Sequence, residues 1–293
     1  PFVKIRQPKK IIFFIGNQGD GMSFVTRVIR KNPCIVSITG NNNYWSGADE
    51  MATVMEAVLP YSLRLPGLVT KERIKSELQP PRSWSYGSDK FLDHYISSEV
   101  DYNKKDCNRF LKTISTALYR FGDDKILVDK SQIYSLKIRL LKKIFKKRVY
   151  FVHITRNPLI SCYRASNGKA GDLKRYAKNL KFNQLIDIST QHWNNVSQEI
   201  SKSVDEETNY IRFKIEDILK NPELNFKKIC HFIGIQFNEN MLPNSKDKIP
   251  LFSKFQDRWY PIRQDINQSY LKSMDNETKK IIINKLKLKL VLE

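Results

Sequence analysis

Apolar and polar positions along the chain fall into two alternating rhythms. Residues 11–15, Ile-Ile-Phe-Phe-Ile, are apolar without a break and rich in β-branching, as in a strand buried on both faces of a parallel sheet. Residues 23–31 then carry Phe24, Val25, Val28 and Ile29 at helical spacing, until Asn32-Pro33 stops them. The exchange recurs downstream. Further strands are predicted over 34–38, 125–129, 148–155 and 210–214, and helices over 48–59, 106–121, 131–146, 172–203 and 224–233. The tail, 267–292, is mostly helical by pattern, although 285–292 alternates as a strand would. Residues 60–101 break the rhythm. There Pro66, Pro80-Pro81 and the aromatics Trp84, Tyr86, Phe91 and Tyr95 predict an irregular insertion, either a substrate-side cap or a patch of aromatic packing. With no repeat or linker, the alternation predicts a single domain over 1–293, of three-layer α/β type, with a central, mainly parallel sheet flanked by helices.

The first strand and helix enclose Gly16-Asn17-Gln18-Gly19-Asp20-Gly21-Met22-Ser23. Glycines let backbone amides approach a phosphate closely, and the helix start adds partial positive charge, so this turn reads as an anion cradle. Its spacing fits the frame of a phosphate loop. Met22, however, stands where a nucleotide hydrolase carries the lysine that neutralises the outer phosphates. That substitution disfavours ATP or GTP chemistry and leaves room for a nucleotide ending in a phosphate and a sulfate.

Charge sharpens this picture. Lys and Arg number 51 against 30 Asp and Glu, a net charge of +21, which favours anionic ligands. The basic run around Lys142-Lys143 and Lys146-Lys147-Arg148 is interleaved with Leu140, Leu141, Ile144 and Phe145, so it predicts the solvated face of a helix. No nucleic-acid motif appears, and nucleic acid is not an expected partner. A basic protein that binds nucleic acid or anionic polysaccharide without catalysis, and a kinase of nucleotides or small molecules, are the competing classes. Cys34, Cys107, Cys162 and Cys230 form no CxxC pair, and His94, His153, His192 and His231 show no ligand spacing, so no metal site is expected. Cys34 and Cys230, among apolar neighbours, read as core filler. No stretch reaches the roughly 18 apolar residues of a transmembrane helix. Pro1 to Lys10 lacks the apolar core of a signal peptide, and the expected location is cytoplasmic, with a trimmed upstream anchor or signal as the alternative.

Taken in order, the motifs resemble the sulfotransferases that use 3′-phosphoadenosine 5′-phosphosulfate (PAPS), a family with a P-loop-like α/β fold. Residues 15–25 resemble its 5′-phosphosulfate loop. Val149-Tyr150-Phe151-Val152-His153-Ile154-Thr155-Arg156-Asn157-Pro158 resembles the strand-Arg-Asp/Asn-Pro motif that holds the donor 3′-phosphate. Val128-Asp129-Lys130-Ser131 resembles its Glu-Lys-Thr/Ser segment, and residues 210–219 followed by Asn221-Pro222 resemble its Arg-Tyr-Glu-Asp-Leu block. Arg258-Trp259 is similar to its closing basic-aromatic loop. Gly19 stands where many members place Lys or Arg, and Arg164 where members usually place Ser, with Ser161 and Ser166 the nearest hydroxyls.

The resemblance implies PAPS as donor substrate, no required metal, and a small-molecule or carbohydrate acceptor. The donor would rest on Asn17, Gln18, Gly19, Asp20, Gly21, Met22 and Ser23, with Arg156 on the 3′-phosphate, assisted by Ser161, Arg164 and Arg258. Lys130, at the end of a predicted strand where such sheets form their ligand crevice, is the candidate cation for the bridging oxygen. Glu50, then Asp49, are the candidate bases, and His94 of the insertion is the outlying one; Gln132, where other branches place His, accepts no proton.

Overall fold

Ile11–Ile15 forms strand β1 at the centre of a sheet, and all five of its side chains are buried. They are shared between two cores with the period of two that a pleated strand imposes. Ile11, Phe13 and Ile15 join Leu127, Val149 and Phe151 on one face. Ile12 and Phe14 join Val128, Val152 and Ile154 on the other. The computed structural model describes residues 5, 7–41, 50–55, 84–122, 124–168, 173–243, 262 and 266–287.

The elements follow in the order β1, α1 (Met22–Arg30), β2 (Ile35–Val36), α2 (Met51–Thr53), α3 (Leu92–Tyr95), α4 (Lys104–Phe121), β3 (Ile126–Asp129) and α5 (Ile138–Phe145). The second half runs β4 (Val149–Thr155), α6 (Pro158–Ser166), α7 (Leu173–Tyr176), α8 (Phe182–Ser203), β5 (Tyr210–Lys214), α9 (Ile215–Lys220), α10 (Pro222–Ile233), α11 (Ile266–Ser273) and α12 (Asn276–Lys285). The five strands are parallel and ordered β2-β3-β1-β4-β5. Helices α4, α5 and the end of α8 cover the first face, and α1, α9 and α10 the second. This is the α/β architecture with a parallel sheet flanked by helices that the alternation predicts. Because β1 leads one way to β2 and β4 the other way to β5, the strand order reverses beside β1, where a crevice opens at the carboxyl ends.

Several expectations need correction. Helix α6 was not foreseen, though Asn157-Pro158 is its start signal: Asn157 Oδ1 accepts from the amides of Leu159 (3.1 Å) and Ile160 (3.4 Å), with proline at the first helical position. The helix expected over 131–146 is a 3-10 turn, Gln132–Leu136, followed by α5. It breaks at Lys137, whose buried ammonium is drawn to the Tyr95 carbonyl (2.6 Å) and Ser97 Oγ (2.9 Å). The stretch over 172–203 divides into α7 and α8. Cys34 is exposed rather than core, because it lies in the turn before β2 and leaves the interior to Ile35 and Val36; Cys230 is buried as expected. Of the irregular insertion, Trp84, Tyr86 and Tyr95 pack inward, Trp84 and Tyr86 each 4.6 Å from the His192 ring of α8. Residues 56–83 lie outside the described ones, as does most of the alternating tail at 285–292.

Just past the end of β1, Gly16 lies close against β4. A Cβ on Gly16 would stand 2.3 Å from the carbonyl oxygen of Ile154, and its φ of +147° is one that side chains rarely adopt. Backbone cannot yield as a side chain can, so Gly16→Ala should cost roughly 2–3 kcal/mol and lower the thermal midpoint by roughly 5–10 °C. A melt at the wild-type midpoint would contradict this packing.

Candidate functional site

The turn after β1 is built from glycine conformations. Gly16, Gly19 and Gly21 have φ of 147°, 93° and 107°, and a Cβ on Gly21 would lie 2.8 Å from Ile215 Cδ1 at the start of α9. The Phe24 amide is taken by the Gly21 carbonyl at 2.9 Å, so the Met22 and Ser23 amides that precede it, with the helix dipole, favour an anion there. Met22 is buried in the core and sends no cation into the loop.

Asp20 turns inward instead. Its side chain is wholly buried, one oxygen accepting from Ser161 Oγ at 2.6 Å and the other from the Asn17 amide at 3.2 Å. Desolvation pushes its carboxyl up to about 7, against the pull of the Ser161 bond and of Arg156. Asn17 is pinned as well: its Nδ2 donates to Ser197 Oγ of α8 at 3.0 Å, while its buried Oδ1 accepts from no partner.

Arg156 follows β4 on the same edge, since Ile15 and His153 are paired across β1 and β4. It is buried, with its Nη1 donating to Asn267 Oδ1 of α11 at 2.7 Å and its Nε left without a hydrogen-bond partner. Burial, and then the neighbouring Arg164, hold its guanidinium down to about 10, so it stays charged at neutral pH. Glu216 of α9 braces the same turn by accepting from the Asn157 amide at 3.0 Å and from Asn267 Nδ2. Arg164, one turn beyond Ser161 on α6, donates to the Gly19 carbonyl at 3.3 Å. Loop, Arg156, Ser161 and Arg164 are therefore one assembly. A cleft of about 940 Å³ adjoins it, lined by Asn17, His153, Arg156, Trp193, Tyr210 and Arg212 among others.

On the other side of β1, Lys130 follows β3. Its Nζ meets Glu50 Oε1 at 2.6 Å, with only 5% of the lysine and 17% of the glutamate side chain exposed. The neighbouring buried Asp129 accepts from the amides of Met51 (2.7 Å) and Ser131 (2.8 Å), and Ser131 Oγ accepts from the Ala52 amide at 3.1 Å. These bonds fix the start of α2, and with it Glu50, against the end of β3. Desolvation pushes Asp129 up to about 6. Ser135, in the turn after Lys130, accepts from the Gly16 amide and donates to the Gly16 carbonyl, both at 3.0 Å, joining this side to the loop.

Two of the histidines are buried. Burial holds His153 and His192 down to about 3, and both are neutral at physiological pH. His192 Nδ1 faces the Trp84 carbonyl at 3.2 Å, which can only accept, so Nδ1 carries the proton. His94 is half-buried on α3. Asp49 and Arg258 lie outside the described residues. Gln18 lies half-buried on the loop, and Ser23 is the second residue of α1. Ser135 and Asn267 were not singled out in the sequence. Nothing local marks them, since each acts through a partner far away in the chain. Among the described residues, no group of three or more His, Cys, Asp or Glu side chains is placed to hold a metal ion, and no helix is long and apolar enough to cross a membrane.

A model of the sulfotransferase family matches residues 66–239, a span that takes in Lys130, Arg156 and Glu216 and begins after the glycine loop. Among solved structures, the sulfotransferase domain of the Synechococcus PCC 7002 olefin synthase superposes with a TM-score of 0.52, over 97% of this chain and 96% of that one, at 16% identity. The sulfotransferase domain from the curacin biosynthetic pathway does so with a TM-score of 0.52, over 95% and 98%, at 13% identity. At such identities the likeness is one of fold. No curated protein matches the chain in sequence.

Proposed function

The chain belongs to the sulfotransferase family, and on that footing we propose that it moves a sulfuryl group from PAPS to a hydroxyl or amine of a small-molecule or carbohydrate acceptor. The observation that carries this reading is the join between two anion sites, the glycine loop and Arg156, through Asp20–Ser161 (2.6 Å) and Gly19–Arg164 (3.3 Å). A nucleotide with anionic groups at its 5′ and 3′ positions needs two such sites held at a fixed separation. The residues fit it: the loop has no room for side chains at Gly16 and Gly21, and Arg156 keeps one buried donor unspent.

In this reading the loop amides hold the 5′-phosphosulfate and Arg156 the 3′-phosphate, with Arg164 beside it. Arg258 keeps its role as a further contact to the nucleotide. The acceptor oxygen or nitrogen attacks sulfur in line, the bond from sulfur to the bridging oxygen breaks, and that oxygen takes the electron pair. Gly19 offers no cation there, so Lys130 supplies the charge. Glu50 receives the proton of the acceptor, with Asp49 as the second candidate. The 2.6 Å pairing of Lys130 with Glu50 gives the two roles one logic. A proton arriving on Glu50 cancels the charge that holds Lys130, and releases the ammonium to the oxygen that is becoming negative.

The direct test is transfer of radiolabelled sulfur from PAPS to a panel of hydroxylated and aminated acceptors, in the presence of a chelator and with labelled ATP as a control. Label passing from ATP and not from PAPS would make the protein a kinase. Lys130→Ala should lower turnover roughly 10²–10³-fold while the affinity for adenosine 3′,5′-bisphosphate changes little; full turnover would remove Lys130 from the chemistry. Arg156→Ala should weaken that bisphosphate roughly 10–100-fold and adenosine 5′-phosphate far less. Equal losses would show that Arg156 does not read the 3′ group.

A further inference from the structure

A carboxylate is an odd component for an anion cradle. Asp20 lies between Gly19 and Gly21, both left-handed, and this pair of turns buries its side chain beneath the loop. There it closes the loop on itself through the Asn17 amide and ties it to α6 through Ser161. Because α6 starts two residues after Arg156, the tie sets the distance between the loop and that guanidinium. We propose that Asp20 is a positioning residue that couples the two anion sites, and that its carboxyl takes up one proton from solvent as a multiply anionic nucleotide settles on them. The nucleotide part of this inference rests on the donor reading above.

The charges facing Asp20 make proton uptake the natural outcome. Arg156 lies on the turn after β4 and Arg164 on α6; Glu216 faces it from α9, Tyr86 from the turn before α3, and Cys162 from α6 itself. In the free protein the Arg156 guanidinium favours the carboxylate. A bound polyanion engages that guanidinium and brings its own negative charge close to a group with no water around it, so the neutral acid becomes the better state. The carboxyl already sits near 7 before any ligand arrives, poised for this change. Proton uptake coupled to binding means that affinity falls as pH rises above neutrality, by up to about tenfold per pH unit. The free protein responds in the same sense. A carboxyl raised above its unfolded value binds its proton more tightly in the folded state, so the stability it contributes is complete below about 4 and is lost as pH rises through about 7.

Calorimetric titration of adenosine 3′,5′-bisphosphate at pH 8, in buffers of different ionisation enthalpy, counts the protons taken up. Wild-type protein should take up most of one proton, and Asp20→Asn, which keeps an acceptor for Ser161, should bind without uptake. Ser161→Ala keeps the carboxyl and removes a bond that stabilises its charge, so its uptake should extend to higher pH. Equal uptake in wild type and Asp20→Asn, or none in either, overturns the proposal. If the nucleotide binds neither protein, the donor reading fails by itself and melts of the free proteins decide on Asp20. Between pH 5 and pH 7 the wild-type midpoint should fall relative to Asp20→Asn by roughly 3 °C per pH unit. Parallel curves would show a carboxyl with no such proton and overturn the proposal equally.

Discussion

The grip on the Gly16 peptide is the constraint from which the rest of the site hangs. Its amide and carbonyl are both bonded to Ser135, in the turn after Lys130, and its bare α-carbon lies against the Ile154 carbonyl, two residues before Arg156. One residue thus ties the end of β1 to the turn after β3 and to the end of β4. Those ends carry the lysine, the loop and the arginine. A side chain at this position would part the strands and, with them, the lysine, the loop and the arginine.

Around that peptide the protein arranges charge with little water. Lys130 is paired with Glu50, and Arg156 with Asn267, which Glu216 holds in turn. Such pairs add little net stability, because desolvation offsets their attraction, but they set where each charge stands before a ligand arrives. Asp129 and Ser131 extend the same logic by fixing the segment that presents Glu50. The net charge of +21 attracts anions from a distance, whereas the buried pairs fix charge at set places inside the protein.

Fold and site were unequally legible in the sequence. Strands β1 and β5 are legible to the residue, β1 because a strand covered on both faces leaves an unbroken apolar segment. Helix α6 escaped notice because its apolar positions are not confined to one stripe, leaving Asn157-Pro158 as its main announcement. The loop, Lys130 and Arg156 could be read because their backbone or charge requirements leave local marks. The ties among them could not. Asp20 and Ser161 are 141 residues apart, Gly16 and Ser135 are 119 apart, and Arg156 and Asn267 are 111 apart. The insertion was half legible: its aromatics were evident, but whether Trp84 and Tyr86 faced outward or packed on His192 was decided by α8, far downstream.

The central claim is that one nucleotide bridges the loop and Arg156, and a crystal of the protein with adenosine 3′,5′-bisphosphate tests it most directly. Density for the 5′-phosphate on the amides of residues 19–23, with the 3′-phosphate on the Arg156 guanidinium, is the expected result. A nucleotide seated elsewhere, or one whose 3′-phosphate points away from Arg156 while the loop stays empty, would contradict it.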